Sequence, residues 1–286
     1  MGGSFLRTVN TAELVPVIRQ LIMKACYELN DNVVNAYREA LAKEQSPYSR
    51  DTLQLLIDNA ELAKKEQVAV CHDTGQAVII LEIGQEVCWE GAPIVDMINE
   101  GVRQGYVDGY LRKSVVADPL DGRKNTGDNT PAHIHFELVP GDRIHVIAMP
   151  KGGGGENMSC FKNLIPADGI EGVKNYVMEC VQDAGGKTCP PIIVGVGVGG
   201  TMDSCTYVSK KALLRPIGQR NPNPLYARLE EELIDEINKT GIGTLGLGGT
   251  VTALDVHIEG LPTHIASLPV AVNFQCHSSR HADTYI

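Results

Sequence analysis

Apolar positions recur at helical spacing through the first 66 residues. Leu14, Val15, Ile18, Leu21 and Ile22 share one stripe, and Asn10 and Glu13 stand just before it at the spacing of a capping box. Val33, Val34, Tyr37 and Leu41 predict a second helix. Beyond Pro47 a third is expected to start at Ser49 or Asp51 and to turn Leu55, Leu56, Leu62 and Ala63 inward. The period changes at Val68. Val68–Cys71 and Ala77–Ile83 are short strand-like runs joined by His72-Asp73-Thr74-Gly75, and Ile94–Gly109 is helical again. Ala132–Val139 and Arg143–Met149 alternate apolar and polar residues around Pro140-Gly141-Asp142, the pattern of a hairpin.

The second half switches more often. Asp168 and Glu171 predict a capped helix reaching about Ala184, and Pro190-Pro191 stops the segment. Ile192–Val198 is apolar throughout, as suits a strand covered on both faces. Gly199-Gly200-Thr201 leads into a helix to about Leu214, and Leu225–Lys239 is a charged amphipathic helix. A glycine-rich loop, Gly241–Gly249, precedes strands at Val251–Ile258 and Leu268–Phe274. There is no internal repeat. The pattern predicts an α/β (mixed α+β) fold, with a helical N-terminal region, residues 1–66, packed on a mixed β-sheet body, residues 67–286, as one continuous domain.

Charge narrows the partners. Against 25 Lys+Arg stand 35 Asp+Glu, a net charge of −10, and no basic run exists, so nucleic acid is not an expected ligand. No apolar stretch is long enough to span a membrane. Met1–Asn10 lacks the apolar core of a signal peptide, which predicts a cytoplasmic protein, and Met1–Phe5 reads either as native or as an added segment. The eight cysteines are then expected as thiols rather than disulfides. No CxxC occurs, which excludes zinc-ribbon and thioredoxin patterns.

Several segments carry candidate chemistry. Gly195-Val-Gly-Val-Gly-Gly200 follows a strand but has the wrong spacing for a dinucleotide fingerprint, and it reads as tight strand–helix packing. The polyglycine segment Lys151–Gly155 suits either a small anion or a structural turn. His133 and His135 alternate on one strand face beside Glu137, either as a metal pair or as a polar sheet face. His264 by itself reads as a loop histidine. Cys71, Cys189 and Cys276 are each placed at a strand end, where turns gather functional groups at one edge of a sheet. Cys26, Cys180 and Cys205 fall within helices and read as buried thiols, while Cys88 and Cys160 have no clear context.

These segments together resemble a known family. Cys71-His-Asp-Thr-Gly75, Lys151-Gly-Gly-Gly-Gly155, Cys189-Pro-Pro191 with Gly195–Thr201, Lys210-Lys-Ala-Leu-Leu-Arg-Pro216 and Cys276-xxx-Arg280 occur in the order and at the separations of the class I (iron–sulfur) fumarases and tartrate dehydratases. The likeness runs from about Thr8 to His281 and is to the α chain of the two-subunit form. It implies a 4Fe–4S cluster on Cys71, Cys189 and Cys276. Such clusters normally take four thiolates, so three leave one iron open as a Lewis acid toward a substrate hydroxyl and carboxylate. Cys160 is the spare cysteine that could close that position.

The resemblance further implies a hydro-lyase that hydrates fumarate to (S)-malate, a tricarboxylic acid cycle reaction, with L-tartrate dehydration as the alternative. A non-catalytic iron–sulfur or zinc-binding subunit is a third reading. By the same likeness Asp73 assists acid–base transfer and Arg112 grips a substrate carboxylate. His264 hydrogen-bonds substrate, and Gly153 and Gly154 offer backbone N–H groups. His72 stands where the family often has Gln, which exchanges an amide donor for a titratable ring. Single-chain relatives carry further active-site residues on a C-terminal domain, so a β subunit is expected as partner in an α2β2 assembly acting on a small dicarboxylate.

Overall fold

In chain order the elements are β1 (Arg7–Asn10), α1 (Leu14–Tyr27), α2 (Asp31–Lys43), α3 (Pro47–Glu66), β2 (Gln76–Gly84), β3 (Val87–Glu90), α4 (Ile94–Asp108), β4 (His133–Val139), β5 (Ile144–Lys151), α5 (Gly153–Met158), β6 (Cys160–Leu164), α6 (Gly169–Ala184), β7 (Ile192–Gly199), α7 (Met202–Ala212), α8 (Pro224–Asn238), β8 (Ala253–Leu261), β9 (Leu268–Gln275) and β10 (Ala282–Tyr285). They come from a computed structural model that describes residues 6–286, so the reading of Met1–Phe5 lies outside the described residues. The mixed α/β class is as expected. The chain forms two compact units, each built from separated segments. Among the described residues one takes 6–29, Leu62–Gly152 and Arg280–Ile286; the other takes Asn30–Glu61 and Gly153–Ser279. The helices of residues 1–66 are therefore shared between both.

The first unit is a four-stranded sheet in the order β10-β5-β2-β4, with a small parallel ribbon of β1 and β3. Asn10 and Glu13 form the expected capping box ahead of α1, here through a short 3-10 turn. Leu14, Ile18 and Ile22 of α1 and Val102 and Tyr106 of α4 bury themselves with Ile79 and Leu81 of β2 in one core. Each such side chain contributes roughly 1.5–3 kcal/mol of apolar burial.

Two sequence expectations fail in this unit. The hairpin of residues 132–149 does not form: β2 lies between its two arms, parallel to β4 and antiparallel to β5. The chain leaving β2 is hydrogen-bonded to the turn that joins them, with Gln85 N–H donating to Val139 O at 2.8 Å and Glu86 N–H to Gly141 O at 3.0 Å. Alternation assigns a strand's faces, not its neighbour, and β2, buried at Val78 through Leu81, claims the centre. Val68–Cys71 is not a strand either. Val68 N–H donates to Ala63 O and Val70 N–H to Cys26 O, so this segment caps helices instead of joining a sheet.

The second unit is a four-stranded sheet in the order β6-β9-β7-β8. Val194 and Val196 of β7 face one core with Val177 and Val181 of α6 and Leu233 and Ile237 of α8. On the opposite face α7 lies so close that a Cβ on Gly195 or Gly197 would overlap the carbonyls of Ser209 or Cys205. Strand–helix packing thus accounts for those glycines, as read from the sequence.

Further corrections are local. α3 starts at Pro47, where a missing N–H costs nothing. It buries Leu53, Leu56, Ile57, Ala60 and Ala63, while Leu55 and Leu62 are 66% and 55% exposed. The buried set keeps the i, i+3, i+4, i+7 spacing that the expected face lacked. Asp168 does not cap α6; its carboxylate accepts from Ile165 N–H and closes a preceding 3-10 turn. Gly153–Met158, expected within a loop, is a short helix. Cys160 on β6 and Cys180 on α6 form a disulfide, so these two are not the thiols expected. No helix is long and apolar enough to cross a membrane among the described residues.

Candidate functional site

Cys71 belongs to the first unit, and Cys189 and Cys276 to the second. In the first unit Cys71 is half-buried in the loop that enters β2. Asp73 follows it, its Oδ1 accepting from Gly75 N–H at 3.0 Å in a tight Asx-type turn. Thr74 Oγ1 donates to the carbonyl of Arg112 at 3.0 Å. The segment that carries Arg112 is therefore fastened next to Asp73. Buried Asn129 reinforces this: Nδ2 donates to Gly75 O at 3.0 Å, and Oδ1 accepts from Ser114 N–H at 2.6 Å. The Tyr106 hydroxyl lies 3.1 Å from the carbonyls of both Thr74 and Gly75. His72 and the side chain of Arg112 are exposed.

Arg280 completes this part. It is buried, donating through Nη2 to Asp73 O and through Nε to Pro150 O at 3.3 Å. It thus ties the Cys71–Asp73 loop to the end of β5. Gly152 lies beneath: a Cβ there would sit 3.2 Å from Asp73 Oδ2 and 3.6 Å from Arg280 Nη2. Lys151, the residue before it, is buried as well.

In the second unit the antiparallel register of β7 and β9 places Ile193 opposite Gln275. Cys189, three residues before β7, and Cys276, just past β9, therefore emerge at one end of the sheet. His277 N–H donates to Cys189 O at 2.9 Å and locks the two loops together. Cys189 is exposed with φ of 53°, a left-handed conformation uncommon for a residue with a side chain. Cys276 is half-buried, its Sγ 3.1 Å from Ser278 Oγ. Tyr37 of α2 donates its hydroxyl to His277 O from the core. Burial, with Cys276 nearby, raises that phenol well above its ordinary range, so it stays a donor.

Gly153 and Gly154 open α5 in this unit. A Cβ on Gly154 would stand 2.8 Å from Lys187 O, so the glycine permits α5 to press on the turn that leads into Cys189. Lys210 of α7 holds α5 through Glu156 at 3.0 Å. Arg215, from the same sequence motif, serves the sheet instead, reaching Glu230 at 2.6 Å and Ile258 O at 2.9 Å. His264 precedes β9 and lies at the end of that strand opposite Cys276, roughly 25 Å away along eight residues. Within one chain the structure does not gather His264 with Cys189 and Cys276.

Sequence reasoning missed Tyr37, Tyr106, Asn129 and the role of Arg280. The two tyrosines did carry a signal, because a phenol at a core position needs a hydrogen-bond partner.

Donor chemistry separates the cysteines further. Burial pushes the thiols of Cys26 and Cys205 up to about 11, which keeps them protonated, and metals take thiolates. Cys160 and Cys180 are bonded to each other. Cys88 lies on β3 in the small ribbon. Cys71, Cys189 and Cys276 are free thiols on loops, and thiolate is the donor that iron–sulfur clusters take. Among the described residues no three His, Cys, Asp or Glu side chains are grouped to hold a single metal ion.

A family model described as "Fumarate hydratase (Fumerase)" matches residues 15–285. The Escherichia coli (strain K12) protein named "L(+)-tartrate dehydratase subunit alpha" is 30% identical over 280 residues, covering 95% of this chain and 92% of that one. The Shigella sonnei protein of the same name matches to the same extent. A Methanocaldococcus jannaschii protein that carries this name provisionally is 45% identical over 271 residues, 93% of this chain and 95% of its own. With both chains covered nearly end to end, this protein belongs to the class I fumarase and tartrate dehydratase family of hydro-lyases, as an α subunit.

Proposed function

We propose that this chain is the α subunit of an iron–sulfur hydro-lyase that dehydrates L(+)-tartrate together with a β subunit. The observation that carries the substrate is the 45% identity, over nearly the full length of both chains, to a protein bearing the tartrate dehydratase name, supported by the Escherichia coli relative. Fumarate hydration is the second reading, favoured by the description of the matching family model. Family membership implies an iron–sulfur cluster, and the proposed ligands are Cys71, Cys189 and Cys276. When bound, the cluster supplies an open iron that polarises the departing hydroxyl.

The chain's own residues do the rest. Asp73 takes the proton from the carbon next to the one losing hydroxide. Its Oδ1 is held by Gly75 N–H and its Oδ2 lies over Gly152, so its direction is fixed before substrate arrives. The proton removed is only weakly acidic because its neighbour is a carboxylate, and charge builds on that carboxylate as the bond breaks. Arg112 is the proposed cation that receives it, since a planar guanidinium pairs with both carboxylate oxygens. His72 and the backbone N–H groups of Gly153 and Gly154 are the further proposed substrate contacts. Loss of water from a dihydroxy diacid leaves an enol, which rearranges to a keto diacid, whereas malate leaves an alkene.

That difference gives the test. The chain is reconstituted with iron and sulfide under anaerobic conditions, with its β partner, and supplied with L(+)-tartrate, (S)-malate or fumarate. Keto acid from tartrate at a specificity constant above that for fumarate is the expected result. Fumarate turnover with no keto acid from tartrate would replace this reading by the second.

A further inference from the structure

The loop that follows β9 fixes more than the place of Cys276. Ser278 lies two residues on and is fully buried, and its hydroxyl stands 3.1 Å from its hydrogen-bond partner, Cys276 Sγ. A buried hydroxyl needs such a partner, because solvent cannot replace it. The residue between the two is pinned at both its N–H and its carbonyl. His277 N–H donates to Cys189 O at 2.9 Å, and His277 O accepts from the Tyr37 hydroxyl. The side chains of Cys276 and Ser278 therefore cannot swing apart without disturbing these bonds. With a free thiol either group could donate. A cluster ligand is a thiolate, which carries no proton and only accepts. The Ser278 hydroxyl is then the donor, and the bond becomes charge-assisted.

We propose that Ser278 is a positioning residue for the proposed dehydration, acting through Cys276: its hydroxyl donates to the ligand sulfur and draws electron density from the iron–sulfur cluster. The inference rests on Cys276 being a cluster ligand. Hydrogen bonds to the sulfurs are among the features that set a cluster's reduction potential, and groups behind the direct ligands tune the metal. A donor on the sulfur favours the reduced form, so it raises the potential. It also leaves less negative charge for the sulfur to share with iron. A less electron-rich iron is the better Lewis acid toward a departing hydroxyl. The burial of Ser278 strengthens the effect, since a hydrogen bond gains in a low-dielectric setting and no solvent competes for the donor. Ser278 is thus assigned no contact with substrate; it sets how strongly the open iron pulls.

Ser278→Ala in the anaerobically reconstituted chain, with its β partner, tests this. Removing one buried oxygen should leave fold and iron content intact, as checked by circular dichroism and by iron and sulfide counts. The reduction potential of the cluster, titrated by electron paramagnetic resonance, is expected to shift to a more negative value. In D2O the native reduced cluster should couple to an exchangeable deuteron in electron–nuclear double resonance, and that coupling should be lost in Ser278→Ala. Turnover should fall several-fold in kcat with KM little changed. Ser278→Thr keeps the hydroxyl and should keep both the potential and the deuteron. A hydroxyl that serves packing alone would move the denaturant midpoint and neither of these readouts. An unchanged potential with the full deuteron signal in Ser278→Ala would overturn the proposal while leaving Cys276 a ligand. A native cluster that couples to no exchangeable deuteron would overturn it without recourse to a variant. Failure of the underlying reading shows separately: a cluster that survives Cys276→Ser removes the thiolate from the account, and this proposal with it.

Discussion

The backbone N–H of His277 donates to the carbonyl of Cys189 at 2.9 Å, joining two of the three proposed cluster ligands through the main chain alone. The bond is braced from below by Tyr37, whose hydroxyl donates to the carbonyl of His277. Spacing between the two thiols is therefore set by the end of a sheet and a buried phenol, before any metal arrives.

Tyr37→Phe keeps the ring in its fully buried place and removes only the donor. Losing a hydrogen bond of this kind costs roughly 0.5–1.5 kcal/mol. The chain should remain folded with a lower denaturant midpoint, and the loop carrying Cys276 should loosen. Iron release to a chelator from the anaerobically loaded protein is expected to quicken several-fold. Unchanged release would show that the sheet register alone holds the ligand loops.

The cysteines should divide cleanly when replaced one at a time. Cys71→Ser, Cys189→Ser and Cys276→Ser are each expected to abolish the absorbance of the reconstituted cluster. Cys205→Ala and Cys160→Ala should leave it intact, because one of these thiols is buried and the other is bonded to Cys180. Iron and sulfide counts per chain, taken with the visible spectrum, check the division. Normal iron content in Cys276→Ser would sink the ligand assignment.

Arg112 and Arg280 should fail differently. Arg112 is exposed and proposed to meet substrate, so Arg112→Gln is expected to raise KM about 10- to 100-fold, the loss of a charge-assisted contact. Arg280 is buried and reaches two carbonyls, those of Asp73 and Pro150. Arg280→Lys keeps the charge but gives up the planar fork, which lets Asp73 drift. A fall in kcat of about 100-fold with little change in KM is the expected signature of that misplacement. Steady-state kinetics on the holoenzyme separates the two patterns.

How much of this was legible beforehand follows from what kind of information each feature needs. The α1 stripe, the capping box at Asn10 and the fully apolar β7 were readable because each depends on residues within one element. The β4–β5 hairpin was misread because β2, whose residues pair with β4 residues 55 positions later, takes the central place, and local alternation carries no trace of that. The face of α3 was misjudged because Leu55 and Leu62 are as apolar as Leu53 and Leu56; only packing distinguishes them. In the site, Cys71, Cys189 and Cys276 stood out by position, yet the residues that hold their loops did not. Asn129 and Arg280 act on backbone carbonyls far away in sequence, 54 residues in one case and 207 in the other, and a spacing pattern cannot show such partners.

Glu44 makes the second unit acid-sensitive in a defined direction. Its carboxylate is buried and accepts from Gln45 N–H, Ser46 N–H, Ser49 Oγ, Thr250 N–H and Val251 N–H. Burial alone would raise its pKa, but these donors outweigh burial and hold it below the ordinary carboxylate value. A group depressed in the folded state binds its proton more readily when unfolded, so the stability it contributes is complete above the unfolded value of about 4.3. That contribution drains away as pH falls from there through the lower folded value. Glu44→Gln cannot ionise, so it should be less stable than the native chain at pH 7 and should lose less on acidification from about pH 5 to pH 3. Urea unfolding at a series of pH values, followed by circular dichroism, measures both slopes. Parallel slopes for the two proteins would mean that other carboxylates govern the acid transition.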